Sequence, residues 1–138
     1  MVKNSPIAGF TTNEGLMLDL DMTTLNETRH IAEKYLERFE LEGYLIARSS
    51  ECNHHIIFNR YLPWEKTIEY LFKITWWYHY HRHGSKPTLT NWAILQAIKH
   101  SETLRITNKY EKPKPKIIET QGKTDKLIND YLQLYNTV

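Results

Sequence analysis

The sequence predicts an α+β domain in which an antiparallel sheet carries helices on one of its faces. Several short segments alternate apolar and polar residues, as half-buried strands do. Longer segments between them repeat apolar residues at three- and four-residue spacing, as amphipathic helices do. The predicted order is strand, helix, strand, strand, helix, strand, with an extra helix before the last strand and another at the end.

The first half of the chain carries clear strand and helix signals. Residues 16–22 predict a strand, whose apolar face consists of Leu16, Leu18, Leu20 and Met22. Thr24 stands three residues before Glu27, the capping-box spacing, so a helix should begin there. Residues 44–50 and 54–59 predict two further strands, which should form a hairpin because only a short polar segment separates them.

The second half predicts the remaining elements and two less regular segments. The elements are a helix over 63–83, a helix over 90–99, a strand over 103–107 and a helix over 123–135. Lysines alternate with prolines at the start of residues 111–123, which predicts a basic loop there. We expect a single domain over residues 1–138, with residues 1–14 flexible.

Composition limits the classes of protein that the chain can represent. The 18 Lys and Arg residues exceed the 16 Asp and Glu residues by only two, so any nucleic-acid surface must be a local patch. The single cysteine, Cys52, cannot form an internal disulfide, and no apolar run is long enough to span a bilayer. We therefore expect a cytoplasmic protein with no membrane partner.

The element order is that of the ferredoxin-like fold, which RNA-recognition domains also use. In that fold the first and third strands lie side by side in the middle of the sheet, and one sheet face stays open. Asp19 and Asp21 alternate with apolar residues, so both should project from the open face beside His55 of the third strand. Arg105 and Arg48 should lie on the same side. Paired carboxylates in this setting suit Mg²⁺ or Mn²⁺.

The Asp19-x-Asp21 pair, followed by a strand that leads into Ser-Ser-x-x-x-x-His at residues 49–55, resembles the first two motifs of the archaeo-eukaryotic primase superfamily. The resemblance covers about residues 16–58. It implies a modified RNA-recognition-like core that transfers nucleotides from a nucleoside triphosphate, NTP or dNTP, on a single-stranded DNA or RNA template. It also implies that Asp19 and Asp21 are catalytic metal ligands and that Ser49 and His55 contact the nucleotide. Arg105 and Arg48 would add nucleotide contacts.

The sequence departs from that family's pattern in two places. The family usually has glycines between the serine and the histidine of its second motif, but none is present here. The family also has a third acid on a later strand, whereas this chain has no aspartate between Asp21 and Asp125. Glu102 is the substitute that we expect as a third metal ligand. The resemblance is therefore to a minimal or degenerate member, of the kind suited to viral, plasmid or archaeal replication.

Local positive charge follows the last predicted strand. Lys109, Lys112, Lys114 and Lys116 lie on a proline-containing segment, and we expect an extended arm that binds nucleic-acid phosphates. Two alternatives to an active nucleotidyltransferase stay open. One is a non-catalytic module that binds nucleic acid or another replication protein. The other is a protein-interaction factor whose acidic face mimics phosphate.

Overall fold

The structure, a computed structural model, describes residues 8–81 and 88–138, and over these ranges it has four helices and two antiparallel sheets. The α+β class predicted from the sequence is confirmed. No helix in these ranges combines the length and the apolar character needed to cross a membrane. The elements are β1 (Gly9–Thr12), β2 (Met17–Leu20), α1 (Leu25–Arg38), β3 (Gly43–Ser50), β4 (Asn53–Phe58), α2 (Trp64–His81), α3 (Thr88–Lys99), β5 (Glu102–Arg105), β6 (Lys116–Gly122) and α4 (Leu127–Tyr135).

Local sequence signals place α1 and the β3–β4 hairpin where they were predicted. The capping box is present, because the Glu27 N–H donates to Thr24 Oγ1 and the Thr24 N–H donates to Glu27 Oε1, both at 3.1 Å. Cys52 in the hairpin turn has a positive φ of 62°, and the two strands pair in antiparallel register. The predicted last turn of α2, residues 82–83, lies outside the described residues.

The strand order of the main sheet is β2-β4-β3-β6. The first and third predicted strands, β2 and β4, are neighbours as expected, but β2 lies at an edge of this sheet. The last predicted strand, β5, pairs instead with β1 in a separate two-stranded sheet, so the predicted ferredoxin-like order is not reproduced by strand pairing. β1 falls within residues 1–14, predicted to be flexible, and residues 1–7 lie outside the described ranges.

The prediction of a loop over residues 111–123 is wrong for Lys116–Gly122, which forms β6 on the free edge of β3. Backbone groups of β3 that would otherwise face solvent gain partners from this strand. An ion pair fixes β6 to the helix layer, since Arg29 Nη2 of α1 lies 2.6 Å from Glu119 Oε1. Pairing with β3, which is distant in the chain, therefore makes this segment a strand, although its own sequence does not predict one.

Apolar residues cover both faces of the main sheet. The first core packs Leu16, Leu18 and Leu20 against α1 and α2. The second core lies on the opposite face, where Phe10 of β1, Leu104 of β5 and Tyr131 of α4 cover apolar residues of the sheet. These are Met17, Leu45 and Ile57. The open sheet face predicted from the sequence is therefore wrong, because the second layer fills it. Polar groups on this face reach solvent only beyond the edge of the second core.

Candidate functional site

Asp19 and His55 meet at the edge of the second core. They are direct partners in the antiparallel register of β2 and β4, so their side chains leave the sheet on the same face. Asp19 Oδ1 lies 3.6 Å from His55 Nε2, and the Asp19 side chain is 31% exposed whereas that of His55 is only 4% exposed. The carboxylate therefore faces solvent while the imidazole supports it from inside.

The environment shifts the pKa of both groups. Burial, followed by the nearby Asp21 carboxylate, raises the pKa of Asp19 to about 7, against the opposing effect of Lys112 and Arg105. Burial, followed by the positive charge of Arg105 and by His54, lowers the pKa of His55 to about 3. His55 is therefore neutral near pH 7, and its buried Nδ1 has no hydrogen-bond partner among the described residues. Asp19 changes charge close to neutral pH.

Asp21 lies just beyond the strand and not on it. β2 ends at Leu20, and Met22 has a positive φ of 56°, so the chain turns sharply where the sequence predicted a continuing strand. Asp21 is exposed, and its charge still acts on Asp19. Solvent therefore reaches both carboxylates, although Asp19 lies on the strand and Asp21 lies in the turn that follows it.

The turn between β3 and β4 is tied to the segment that carries the aspartates. Asn53 Oδ1 accepts from the Met22 N–H at 2.9 Å, and the Cys52 carbonyl accepts from the Thr23 N–H at 2.8 Å. Asn53 Nδ2 also donates to Ser50 Oγ at 2.5 Å. These contacts tie the turn, which contains no glycine, to the segment that follows β2. No pattern in the sequence predicts that Asn53 links the two segments.

Arg105 reaches the Asp19 region from β5, which lies in the second sheet and not in the main sheet where the sequence placed it. Its Nη2 donates to the Ser49 carbonyl at 2.8 Å, and its Nη1 donates to the Pro113 carbonyl at 2.8 Å and to the Thr107 carbonyl. Burial lowers the pKa of Arg105, and the charge of Asp19 opposes this shift. Arg105 thus joins β5, the end of β3 and the following loop, and most of its donors bind backbone carbonyls. Ser49, itself buried, contributes its carbonyl to this contact.

Arg48 and Glu102 are not brought to this site. Arg48 pairs in register with His54, two residues from the Ile46–Ile56 pair of the first core, so its side chain leaves the opposite sheet face. The prediction that it shares a face with Asp19 is wrong. Glu102 is fully buried, and its carboxyl oxygens accept from the Met17 N–H at 3.1 and 3.2 Å. Burial raises its pKa well above the ordinary value.

The basic segment is more ordered than the extended arm expected from the sequence. Lys109 and Lys112 exchange backbone hydrogen bonds of 2.9 and 2.7 Å and form a tight turn. Lys114 Nζ donates to the Tyr135 carbonyl at 2.8 Å and lies 3.9 Å from the centre of that ring. Lys116 is exposed at the start of β6. No pattern in the sequence predicts that the charge of Lys112 acts on Asp19.

We call Asp19, Asp21, His55, Arg105 and Lys112 the Asp19 cluster. Its two solvent-accessible carboxylates provide the hard oxygen ligands that Mg²⁺ and Mn²⁺ prefer, and water and phosphate oxygens usually complete such a site. The described residues contain no group of three or more His, Cys, Asp or Glu side chains placed to hold a metal ion. The cluster thus suits one cation shared with a phosphate ligand, without Glu102.

Comparison of the chain with protein-family models, with curated proteins and with solved structures finds no match. The class that the fold defines is an α+β domain with a four-stranded sheet enclosed between two layers. Function must therefore be argued from the geometry and charge of the Asp19 cluster.

Proposed function

We propose that this protein is a primase-like replication domain that binds a nucleoside triphosphate together with Mg²⁺ or Mn²⁺ at the Asp19 cluster. One observation carries the proposal: Asp19 on β2 lies opposite His55 on β4, with the cations of Arg105 and Lys112 close enough to affect the carboxylate. An acid and a histidine on adjacent strands, beside positive side chains, form a mixed-charge site of the kind that metal-bound phosphates need.

Each member of the cluster has a distinct part in this binding. Asp19 and Asp21 would hold the divalent cation, which neutralises phosphate charge when it is bound. Lys112 is exposed and free to approach a phosphate as a point charge. Neutral His55 can donate only one ring N–H, and its Nε2 lies 3.6 Å from Asp19 Oδ1, so a small movement would let it donate to Asp19 or to a phosphate oxygen. Arg105 holds the backbone of Ser49 in place beside them.

Nucleotidyl transfer to a primer on single-stranded DNA or RNA is the reaction that we propose for the bound nucleotide. Two-metal phosphoryl transfer needs ligands for two ions about 4 Å apart, and Glu102 is engaged by the Met17 N–H. Because Glu102 is engaged in this way, the site favours binding with one cation. The alternative function is therefore a non-catalytic module that binds nucleic acid or a replication partner and retains the nucleotide site. Incorporation of nucleotide distinguishes these two functions.

Calorimetric titration with Mn²⁺ and ATP, or Mn²⁺ and dATP, tests the binding site. We expect Asp19→Asn to weaken metal-dependent nucleotide binding at least about tenfold, because loss of even a hydrogen-bond partner of a metal ligand typically costs about 10- to 100-fold in affinity. The matched control is Asp130→Asn on α4, which removes one charge but leaves an oxygen that can accept from the Tyr61 hydroxyl. Equal binding by wild type and Asp19→Asn would contradict the proposal.

The pH dependence provides a second readout. Because the pKa of Asp19 is about 7, its metal-binding carboxylate form becomes dominant as the pH rises, and wild-type affinity for Mn²⁺ and nucleotide should increase from pH 6 to pH 8. Labelled nucleotide supplied with single-stranded templates then tests transfer. Incorporation that Asp19→Asn abolishes supports the enzyme, and binding without incorporation on DNA or RNA supports the non-catalytic module.

A further inference from the structure

Helices α1 and α2 leave a groove between them on the outer side of the first core. The groove has a volume of about 520 Å³, and its lining includes Lys34 and Arg38 of α1 together with Lys73, Trp76 and Trp77 of α2. Volumes of several hundred cubic ångströms are typical of ligand sites. The main sheet separates this groove from the Asp19 cluster, because the two lie on the sides of opposite sheet faces.

Trp76 is the most unusual residue of the groove. It lies in the last third of the 18-residue helix α2, and the residue is 75% exposed. A tryptophan that stays exposed presents a flat apolar ring to solvent, and tryptophan is enriched at surfaces that bind partners. The neighbouring Trp77 packs against the first core, which gives the groove a rigid aromatic base.

Positive charge surrounds these rings. Lys34 Nζ lies 4.9 Å from the centre of the Trp77 ring, a cation–π distance that holds the ammonium group at the groove wall. The one acid in the lining, Glu69, is shared between Lys66 at 3.2 Å and Lys73 at 3.8 Å. The lining therefore carries three cations, of which Lys73 is paired with the single carboxylate, and its net positive charge is complementary to an anionic ligand.

We propose that this groove binds single-stranded nucleic acid, with a base stacked on Trp76 and phosphates held by Lys34, Arg38 and Lys73. Exposed aromatic rings beside a track of cations are the means by which proteins bind single strands without reading sequence, because every base has a flat face. An acidic peptide would use the cations but would gain little from the exposed indole. The proposal does not depend on nucleotide binding at the Asp19 cluster.

Fluorescence anisotropy with a labelled oligothymidylate of about 12 nucleotides, in EDTA and over a range of salt concentrations, tests the groove. Trp76→Ala should weaken binding about 5- to 150-fold, the loss expected for one stacked base, and leave the salt dependence unchanged. Trp76→Phe should restore much of the affinity. Ile98→Ala, a truncation of a residue that is 70% exposed on α3, is the matched control and should bind normally.

The double variant Lys34→Gln/Arg38→Gln tests the cations. The slope of log K against log salt concentration should become shallower by about 1.4, since each phosphate contact to a single strand contributes about 0.7. The control Lys99→Gln/Lys123→Gln removes the same net charge from exposed positions elsewhere and should keep the wild-type slope.

Three results would overturn the proposal. They are unchanged affinity in Trp76→Ala, an unchanged salt slope in Lys34→Gln/Arg38→Gln, and displacement of the oligonucleotide by an oligoglutamate peptide that binds Trp76→Ala and wild type equally. The Asp19→Asn variant should bind the oligonucleotide normally in EDTA. Failure at the groove and failure at the Asp19 cluster are therefore separate outcomes.

Discussion

Replacing Glu102 by glutamine should stabilise the protein at neutral pH. The Glu102 carboxyl is fully buried on β5 and accepts from the Met17 N–H of the edge strand β2. No ion pair among the described residues involves this carboxyl, so burial favours its protonated form and raises its pKa well above 4.5. Glutamine has almost the shape of the protonated acid, and its carbonyl oxygen can accept the same hydrogen bond.

The magnitude follows from the number of protons that the folded and unfolded states bind. The folded state keeps the Glu102 proton at a pH where the unfolded state has lost it. The contribution of Glu102 to stability is therefore fully present below pH 4.5 and is lost as the pH rises toward the folded pKa. Within that window, wild type loses about 1.4 kcal/mol per pH unit relative to Glu102→Gln.

Urea denaturation of both proteins at pH 4.5, 5.5, 6.5 and 7.5 provides the measurement. Subtracting the two free energies of unfolding removes the contributions of Asp19 and His55, because both residues are present in both proteins. The matched control is Glu51→Gln, which changes an exposed glutamate in the β3–β4 turn and should give a nearly constant difference. A constant difference for Glu102→Gln as well would refute the reasoning.

Two further substitutions test the second core and the end of β6. The Tyr131 hydroxyl is buried with no partner among the described residues, so Tyr131→Phe should raise the free energy of unfolding by about 1 kcal/mol in urea denaturation; a loss would mean that the hydroxyl is hydrogen-bonded. Gly122 has a φ of +73° and an added Cβ would collide with the Glu42 carbonyl, so Gly122→Ala should cost at least about 1 kcal/mol. Thr120→Ala, exposed on the same strand, is the control and should change stability by less than about 0.5 kcal/mol; an equal loss in both variants would contradict the backbone explanation.

Elements whose signals are local could be predicted from the sequence. The capping residues of α1 act within one turn, and the β3–β4 hairpin joins strands that are adjacent in the chain. The facing of Asp19 and His55 was expected because the ferredoxin-like order places their two strands side by side, and alternation along each strand then selects the face. Arg48 was assigned to the wrong face because it pairs with His54 and not with His55, and neighbouring residues of a strand point to opposite faces.

Elements that depend on distant partners could not be predicted. β1 consists of Gly9–Thr12, a segment too short for a clear pattern, and it exists by pairing with β5. β6 begins beside a lysine- and proline-rich segment whose composition suggests a loop, yet it completes the exposed edge of β3. In both cases long-range hydrogen bonds outweigh a weak local preference.

The sequence by itself determined the α+β class and the amphipathic helices, because the signals for both are local. Only the tertiary structure decided that a second layer covers the sheet face that carries Asp19. It also decided that Glu102 accepts a hydrogen bond from the Met17 N–H and that the charge of Lys112 acts on the Asp19 carboxylate. The physical reason is that periodicity marks which side of an element is apolar, but burial summed over distant segments decides what covers that side. The Asp19 cluster is therefore a site at the edge of a closed core.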